Sequence, residues 1–447
     1  MQFIESILST ISDYMWQYVL IILLFGTHLF LTFRLKFIQK YIFKAIKISL
    51  GRKHEGKGDI SQFGALTTSL AATIGTGNIV GVSTAIAAGG PGAVLWMWLT
   101  GLFGIATKYS EALLSVKYRI VNKDGSMSGG PMYVIERGMN MKWLAILFAA
   151  FTAISAFGIG NMVQANSISH MVEESFSIPP WLTGIILSLF TALVILGGIK
   201  SIAKVCEALV PVMAITYLLG CIILLAVGYS TLWDSIVLIF NSAFTGHAAM
   251  GGFVGAGAKE AIRFGIARGL FSNESGLGSA PIVASAAQTK NPVRQALVSS
   301  TGTFWDTVVV CAFTGLVIVN SYDWQSDLTG AALTKKAFSH FEVVGPVFLS
   351  IGLLTFVFST ILGWSYYGEK AAEYLFGSSV VKPYRITWVI FIFIGSVLSL
   401  NLVWSFADIT NGLMAIPNLI SLLFLSKILI SETEKYLWKG DIEQSSE

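Results

Sequence analysis

The segment from Leu66 to Ala88 carries no charged side chain, yet Gly75-Thr76-Gly77-Asn78 interrupts it. An apolar stretch of this length reads as a membrane-spanning helix, because a hydrocarbon core about 30 Å thick needs roughly 20 helical residues. An interruption there is unfavourable. Unpaired backbone amides and carbonyls cost several kcal/mol each in hydrocarbon, so irregular backbone persists at that depth only where it lines a protected cavity. The freed groups are also what an ion or a small zwitterion binds. The break therefore points to a working site at mid-membrane.

Composition supports that setting. Of the 447 residues 54% are hydrophobic and 12% charged, against about 25% charged in soluble domains. The chain reads as an all-α polytopic membrane protein whose main surroundings are a lipid bilayer. It does not read as an enzyme, and no nucleic-acid partner is expected. Cys206, Cys221 and Cys311 show no C-x-x-C spacing and suit small apolar fillers. His28, His54, His170, His247 and His340 are scattered, with no H-x-x-x-H pair to suggest a zinc-type site. Without a basic n-region, and with Glu5 and Asp13 ahead of the first apolar run, no cleavable signal peptide is expected.

Eleven spans are expected, near 14–36, 66–88, 92–118, 143–169, 181–199, 205–228, 259–287, 295–320, 345–371, 384–402 and 408–430. The loops test that number. Arg34, Lys36, Lys40, Lys44, Lys47, Arg52, Lys53 and Lys57 follow the first span, and Arg119, Lys123, Arg137 and Lys142 the third. Lys200 and Lys204, Lys290 and Arg294, Lys382 and Arg385, then Lys435 and Lys439 continue the series. Intervening loops offer Glu173, Glu174, Asp234, Asp323 and Asp327, with Lys335 and Lys336 a minor exception. Basic loops mark the cytoplasmic side. Eleven spans put every basic loop on one side, with the N-terminus outside and the C-terminus cytoplasmic.

Setting aside the first span leaves ten, divisible into two fives of opposite orientation. The expected organisation is an N-terminal helix with a basic cytoplasmic segment (1–65), a first repeat (66–228), an extracellular connection (229–258), an inverted second repeat (259–430) and a cytoplasmic tail (431–447). Each repeat opens with an interrupted span. The second interruption is Phe271-Ser272-Asn273-Glu274-Ser275-Gly276-Leu277-Gly278. Interrupted segments at corresponding positions of two halves mark inverted-repeat secondary transporters. Glycines also let helices pack closely, but two such segments at matching places, both holding amides or hydroxyls, favour the transporter.

Gly75-Thr76-Gly77-Asn78-Ile79-Val80-Gly81 is not a dinucleotide loop, which needs a strand before it and a helix after it in a soluble βαβ unit. Here the half-helix after the break points its positive end at the gap and suits a carboxylate. Carbonyls released before the break suit a cation or an ammonium group. At the second break Phe271 and Ser272 offer carbonyls, Asn273 an amide and Glu274 a carboxyl. Glu274 is either functional at this depth or a cap on its own helix. Asp306 and Glu111 are expected to be structural hydrogen-bonding partners. In the ninth span Ser359 and Thr360 offer hard oxygens for a small cation or bond back to helix carbonyls, and Trp364 follows one turn on. In the fourth span Asn161, Gln164 and Asn166 interrupt an apolar run.

These segments resemble a known family. Ile74-Gly75-Thr76-Gly77-Asn78-Ile79, Gly89-Gly90-Pro91-Gly92-Ala93 and Trp96-Met97-Trp98 are similar to the alanine/glycine:cation (sodium) symporter family. So are Gly269-Leu270-Phe271-Ser272-Asn273-Glu274-Ser275-Gly276-Leu277-Gly278-Ser279-Ala280-Pro281 and Leu362-Gly363-Trp364-Ser365-Tyr366-Tyr367-Gly368-Glu369. Leu95 and Gly101 depart from the usual pattern, outside the proposed site. The resemblance covers nearly the whole chain. It implies sodium-driven uptake of alanine or glycine across a plasma membrane, sodium as the only cofactor-like partner, and a five-plus-five fold of the leucine-transporter type. It also implies that Thr76 and Gly77 amides with Asn78 and Gln164 side chains hold the substrate carboxylate. Thr73, Phe271 and Ser272 carbonyls would take the ammonium, with Asn273 nearby. Trp364, Phe271 and Leu277 would wall the side-chain pocket. Sodium would sit among Ala71, Ile74 and Phe356 backbone oxygens and Ser359 and Thr360 hydroxyls. A proton-coupled transporter using Glu274 is the closest alternative, and an amino-acid or ion channel a remoter one.

Overall fold

A computed structural model describes residues 10–11, 14–51, 56–244, 257–341, 344–398 and 400–445. Glu5, Asp13, Arg52, Lys53, His54 and the 245–256 part of the expected extracellular connection lie outside the described residues.

The chain is built almost wholly of helices, which in lipid satisfy their own backbone groups. In chain order they are α1 (Leu20–Arg34), α2 (Ile42–Ser49), α3 (Gln62–Thr73), α4 (Val82–Gly89) and α5 (Ala93–Lys117). A two-residue β-ribbon, Ile120–Val121 against Met127–Ser128, precedes α6 (Pro131–Met139), α7 (Lys142–Phe157) and α8 (Val163–Phe176). Then come α9 (Pro180–Ile195), α10 (Gly198–Val227), α11 (Tyr229–Phe244), α12 (Ala258–Asn273) and α13 (Ala280–Ala284). The chain continues through α14 (Pro292–Thr303), α15 (Ala312–Ser321), α16 (Gly330–Phe338), α17 (Val344–Phe376), α18 (Val381–Val397), α19 (Leu400–Phe424) and α20 (Ser426–Thr433).

Among the described residues six helices are long and apolar enough to cross a membrane, or up to eight if two bent pairs are single spans. One bent pair is the first half of the Gly75 break with the second, Gln62–Thr73 and Gly77–Gly89, at 53°. The other is α1 with Ile38–Ser49, at 69°. Large apolar side chains cover the outside: Leu189, Phe190 and Leu193 on α9, and Val212, Ile215 and Leu219 on α10, are exposed. In water this surface would drive aggregation, so it faces lipid. The molecule is a multi-pass membrane protein.

The interior inverts that pattern. Helix α5 packs against α12 and α14, α7 against α17 and α19, α9 against α18, and α10 against α3 and α17. Close approach of α5 and α12 depends on small residues. A Cβ at Gly269 would meet Thr100 and Met97, and one at Gly265 would meet Ala93 and Trp96. Such contacts suit helices that associate by packing and not by exclusion of water. The segment expected as a connection at 229–258 contains α11, which lies across α5 and α15. Trp96 Nε1 donates to the Ala243 carbonyl at 3.1 Å there.

Besides π turns at Met15–Val19, Gly77–Gly81 and Glu434–Trp438, widened π turns lie at Gly158–Met162, between α7 and α8, and at Phe304–Cys311, between α14 and α15. Such turns recur at functional sites. The last two face the breaks.

Candidate substrate and ion site

Helix α3 starts on Ser61, whose hydroxyl accepts from the Gly64 amide at 2.7 Å. It stops where Ile74 turns to φ −74°, ψ 94°. Asn78 reaches back so that its Oδ1 accepts from the Gly75 amide at 2.9 Å, and the chain resumes as a π turn over Gly77–Gly81. Helix α12 ends at Asn273. Glu274 takes the left-handed conformation, φ 54°, and Gly276 and Gly278 follow at φ 93° and 85°. Asn273 Oδ1 accepts from the Ser275 amide at 2.9 Å. Pro281 lies in the first turn of α13, where no amide is needed.

Buried carboxyl groups hold the two breaks. Glu111 Oε1 accepts from the Gly276 and Gly278 amides at 3.1 and 3.0 Å and from Asn418 Nδ2 at 2.7 Å. Asp306 Oδ1 accepts from Asn78 Nδ2 at 2.8 Å, and its Oδ2 from Ser272 Oγ at 3.0 Å and Thr307 Oγ1 at 2.6 Å. Asp306 therefore ties the first break to the second through the π turn it sits on.

Between the breaks lies a small cavity lined by Ala72, Thr73, Gly75, Thr76, Gly77, Ile159, Gln164, Phe271, Glu274, Thr360 and Trp364. The space open to the centre of a water-sized sphere is about 10 Å³, room for roughly one water. Of the expected substrate residues, Thr73, Thr76, Gly77, Gln164, Phe271 and Trp364 line it. Asn78 and Ser272 are turned toward Asp306, Asn273 caps the second break, and Leu277 is buried without lining the cavity. Gln164 Nε2 donates to the Ile159 carbonyl at 3.0 Å and to Thr76 Oγ1 at 3.3 Å. Its Oε1 is a buried acceptor with no partner among the described residues.

The five expected ion ligands converge beside the cavity. Ser359 Oγ donates to the carbonyl of Phe356, one turn back in its own helix, at 2.8 Å and lies 3.2 Å from the Ala71 oxygen. Thr360 Oγ1 donates to the same Phe356 carbonyl at 2.9 Å and lies 3.3 Å from the Ile74 oxygen, so both hydroxyls bond back to their helix as well as facing the break. Five neutral oxygens from α3, its broken end and α17 form a hard-donor set of the kind small cations take. Among the described residues no group of three or more His, Cys, Asp or Glu suits a metal ion.

Glu274 departs from the simple cap. Its Oε2 accepts from Ser279 Oγ at 2.6 Å and its Oε1 from Trp364 Nε1 at 2.9 Å, so the carboxyl bridges the second break and the cavity wall. Lys108 is a further participant. It is 2% exposed, and its Nζ has no hydrogen-bond partner among the described residues. No motif singles it out; its signal is a lysine three residues before Glu111 inside an apolar span. A second cavity of about 1260 Å³ is lined by Ile79, Val80, Thr84, Arg268, Phe271 and Leu353, among others. Phe271 lines both spaces.

Two broken helices facing one another around a small cavity, with an oxygen cluster at its edge, define a secondary transporter. The fold agrees: the crystal structure of MhsT in complex with L-phenylalanine matches with a TM-score of 0.59 at 13% identity, over 86% of this chain and 94% of that one. The fold is therefore of the leucine-transporter type. The sodium:alanine symporter family model matches residues 1–447, and the chain belongs to that family. The sodium/alanine symporter AgcS of Methanococcus maripaludis is 49% identical over 442 residues, covering 96% of this chain and 97% of its own. An uncharacterized transporter of Haemophilus influenzae is 52% identical over 438 residues, covering 97% and 96%.

Proposed function

We propose that the chain takes up a small neutral amino acid, alanine or glycine, together with sodium, by alternating access across the plasma membrane. The observation that carries this reading is the double membership of Thr360. Its hydroxyl belongs to the five-oxygen set, and its side chain lines the small cavity. An ion at the oxygens and a substrate in the cavity then share a wall, so binding of one favours binding of the other.

In this reading the Thr76 and Gly77 amides receive the substrate carboxylate at the positive end of the resumed half-helix. Gln164 Oε1 and the Thr73, Phe271 and Ser272 carbonyls face the ammonium group. Asn78 and Ser272 side chains serve through Asp306, holding the two breaks in register. Eleven spans, an outside N-terminus, a cytoplasmic C-terminus and two inverted repeats of five complete the proposal. The packing supports the repeats. Exchanging the halves turns α5 on α12 into α14 on α3, and α10 on α17 into α19 on α7, and all four pairs are in contact.

One sodium moving inward across ~100 mV contributes about 2.3 kcal/mol, and a tenfold gradient about 1.4 more. At one-to-one coupling the sum sustains an accumulation of several hundred-fold. Calorimetric titration of alanine into the purified protein tests the coupling: affinity rises with sodium at constant ionic strength. Equal affinity in sodium and choline contradicts it. Because Glu274 lines the cavity, proton coupling is the second reading; it requires uptake driven by a pH gradient without sodium.

A further inference from the structure

Trp364 is fully buried in the wall of the small cavity, and three neighbours fix where its indole lies. Behind it is Gly160, in the widened turn Gly158–Met162. A Cβ at Gly160 would collide with Trp364 Cβ and Cγ and come within 2.8 Å of Cδ2. The backbone of the turn between α7 and α8 thus packs directly against the root of the Trp364 side chain, which only a residue without a side chain at 160 permits. At its nitrogen Glu274 Oε1 accepts at 2.9 Å, and Glu274 is itself held by Ser279 Oγ at 2.6 Å. Tyr367 meets the indole edge-on, with ring centroids 5.4 Å apart.

We infer that Gly160 and Glu274 are specificity-determining positioning residues, which seat Trp364 and thereby set the largest side chain the site accepts. This rests on the symport reading above. Gly160 sets how far the indole retracts and Glu274 keeps it from swinging. A seat displaced inward by one methyl removes the space that separates alanine from glycine. A seat without its acceptor lets the ring move aside and admits longer side chains. The carboxyl acts here as a hydrogen-bond acceptor, so an amide in its place keeps the seat.

The test is competition against labelled substrate in proteoliposomes, with glycine, alanine, 2-aminobutyrate and norvaline as competitors. For Gly160→Ala the ratio of half-inhibiting concentrations shifts at least tenfold toward glycine over alanine. For Glu274→Ala, 2-aminobutyrate and norvaline gain at least tenfold relative to alanine, whereas Glu274→Gln keeps the wild-type ranking. The inference is overturned if the rankings do not move. It is equally overturned if Glu274→Gln loses all substrates alike, which would make the charge a direct partner of the ammonium. A wild-type protein that takes up neither alanine nor glycine contradicts the symport reading; an active wild type with unmoved variants contradicts the seat alone.

Discussion

Thr360 and Asp306 show how few side chains link the parts of this site. Thr360 carries one oxygen of the proposed ion set and also borders the cavity. Thr360→Ala is expected to raise the sodium concentration for half-maximal uptake about tenfold, equivalent to ~1.4 kcal/mol, while the ranking of amino acids stays as it was. A sodium-activation curve that coincides with wild type removes Thr360 from the ion site. Asp306→Ala strands the donors of Asn78, Ser272 and Thr307 in a buried place. Unpaired buried donors cost about 1–3 kcal/mol each, so the melting temperature in detergent falls, and falls less for Asp306→Asn. An unchanged melting temperature contradicts the bracing role. At this scale the sequence exposes residue types better than partners. Asn78 is conspicuous in an apolar span, but its acceptor lies 228 residues away. Lys108 and Gly160 carry no local pattern, and their roles follow from neighbours brought in by other helices.

The breaks were the most legible elements, because glycine and polar residues inside charge-free spans have few physical explanations. Helix bounds follow hydropathy closely, as in α5 at Ala93–Lys117 against an expected 92–118. The π turns at Gly158–Met162 and Phe304–Cys311 left no such trace, since one extra residue in a turn barely alters an apolar periodicity. Helix α11 was hidden in a connection because its residues mix apolar and polar types without a span's length. Glu111 belongs to this scale, since it holds the whole second break by two amides and Asn418. Glu111→Ala is expected to lower stability by several kcal/mol, on the order of 1–3 for each stranded donor, and Glu111→Gln by clearly less. Chemical denaturation of the purified variants measures this, and equal losses would show that the carboxylate's charge matters and not the packing and acceptor oxygen that Gln keeps.

Seen as a whole, the molecule places a cavity of about 1260 Å³ beside a much smaller one, with Phe271 lining both. Alanine does not fit a space for one water, so transport requires the helices around the breaks to move. In the orientation proposed from the basic loops, the large cavity faces the outside. With Cys206, Cys221 and Cys311 all buried, single introduced cysteines report cleanly. In intact cells Thr84→Cys, in the large cavity, is expected to react with a membrane-impermeant maleimide, and Ser445→Cys, on the exposed C-terminal segment, only after lysis. Reversed labelling contradicts the orientation. The central claim is that sodium, and not a proton, drives a small neutral amino acid through this site. Uptake of labelled alanine into proteoliposomes, with sodium and pH gradients imposed separately, tests it most directly. An inward sodium gradient alone gives transient accumulation above equilibrium, and a pH gradient alone does not. Accumulation driven by the pH gradient without sodium, or mere equilibration under either, would contradict the account.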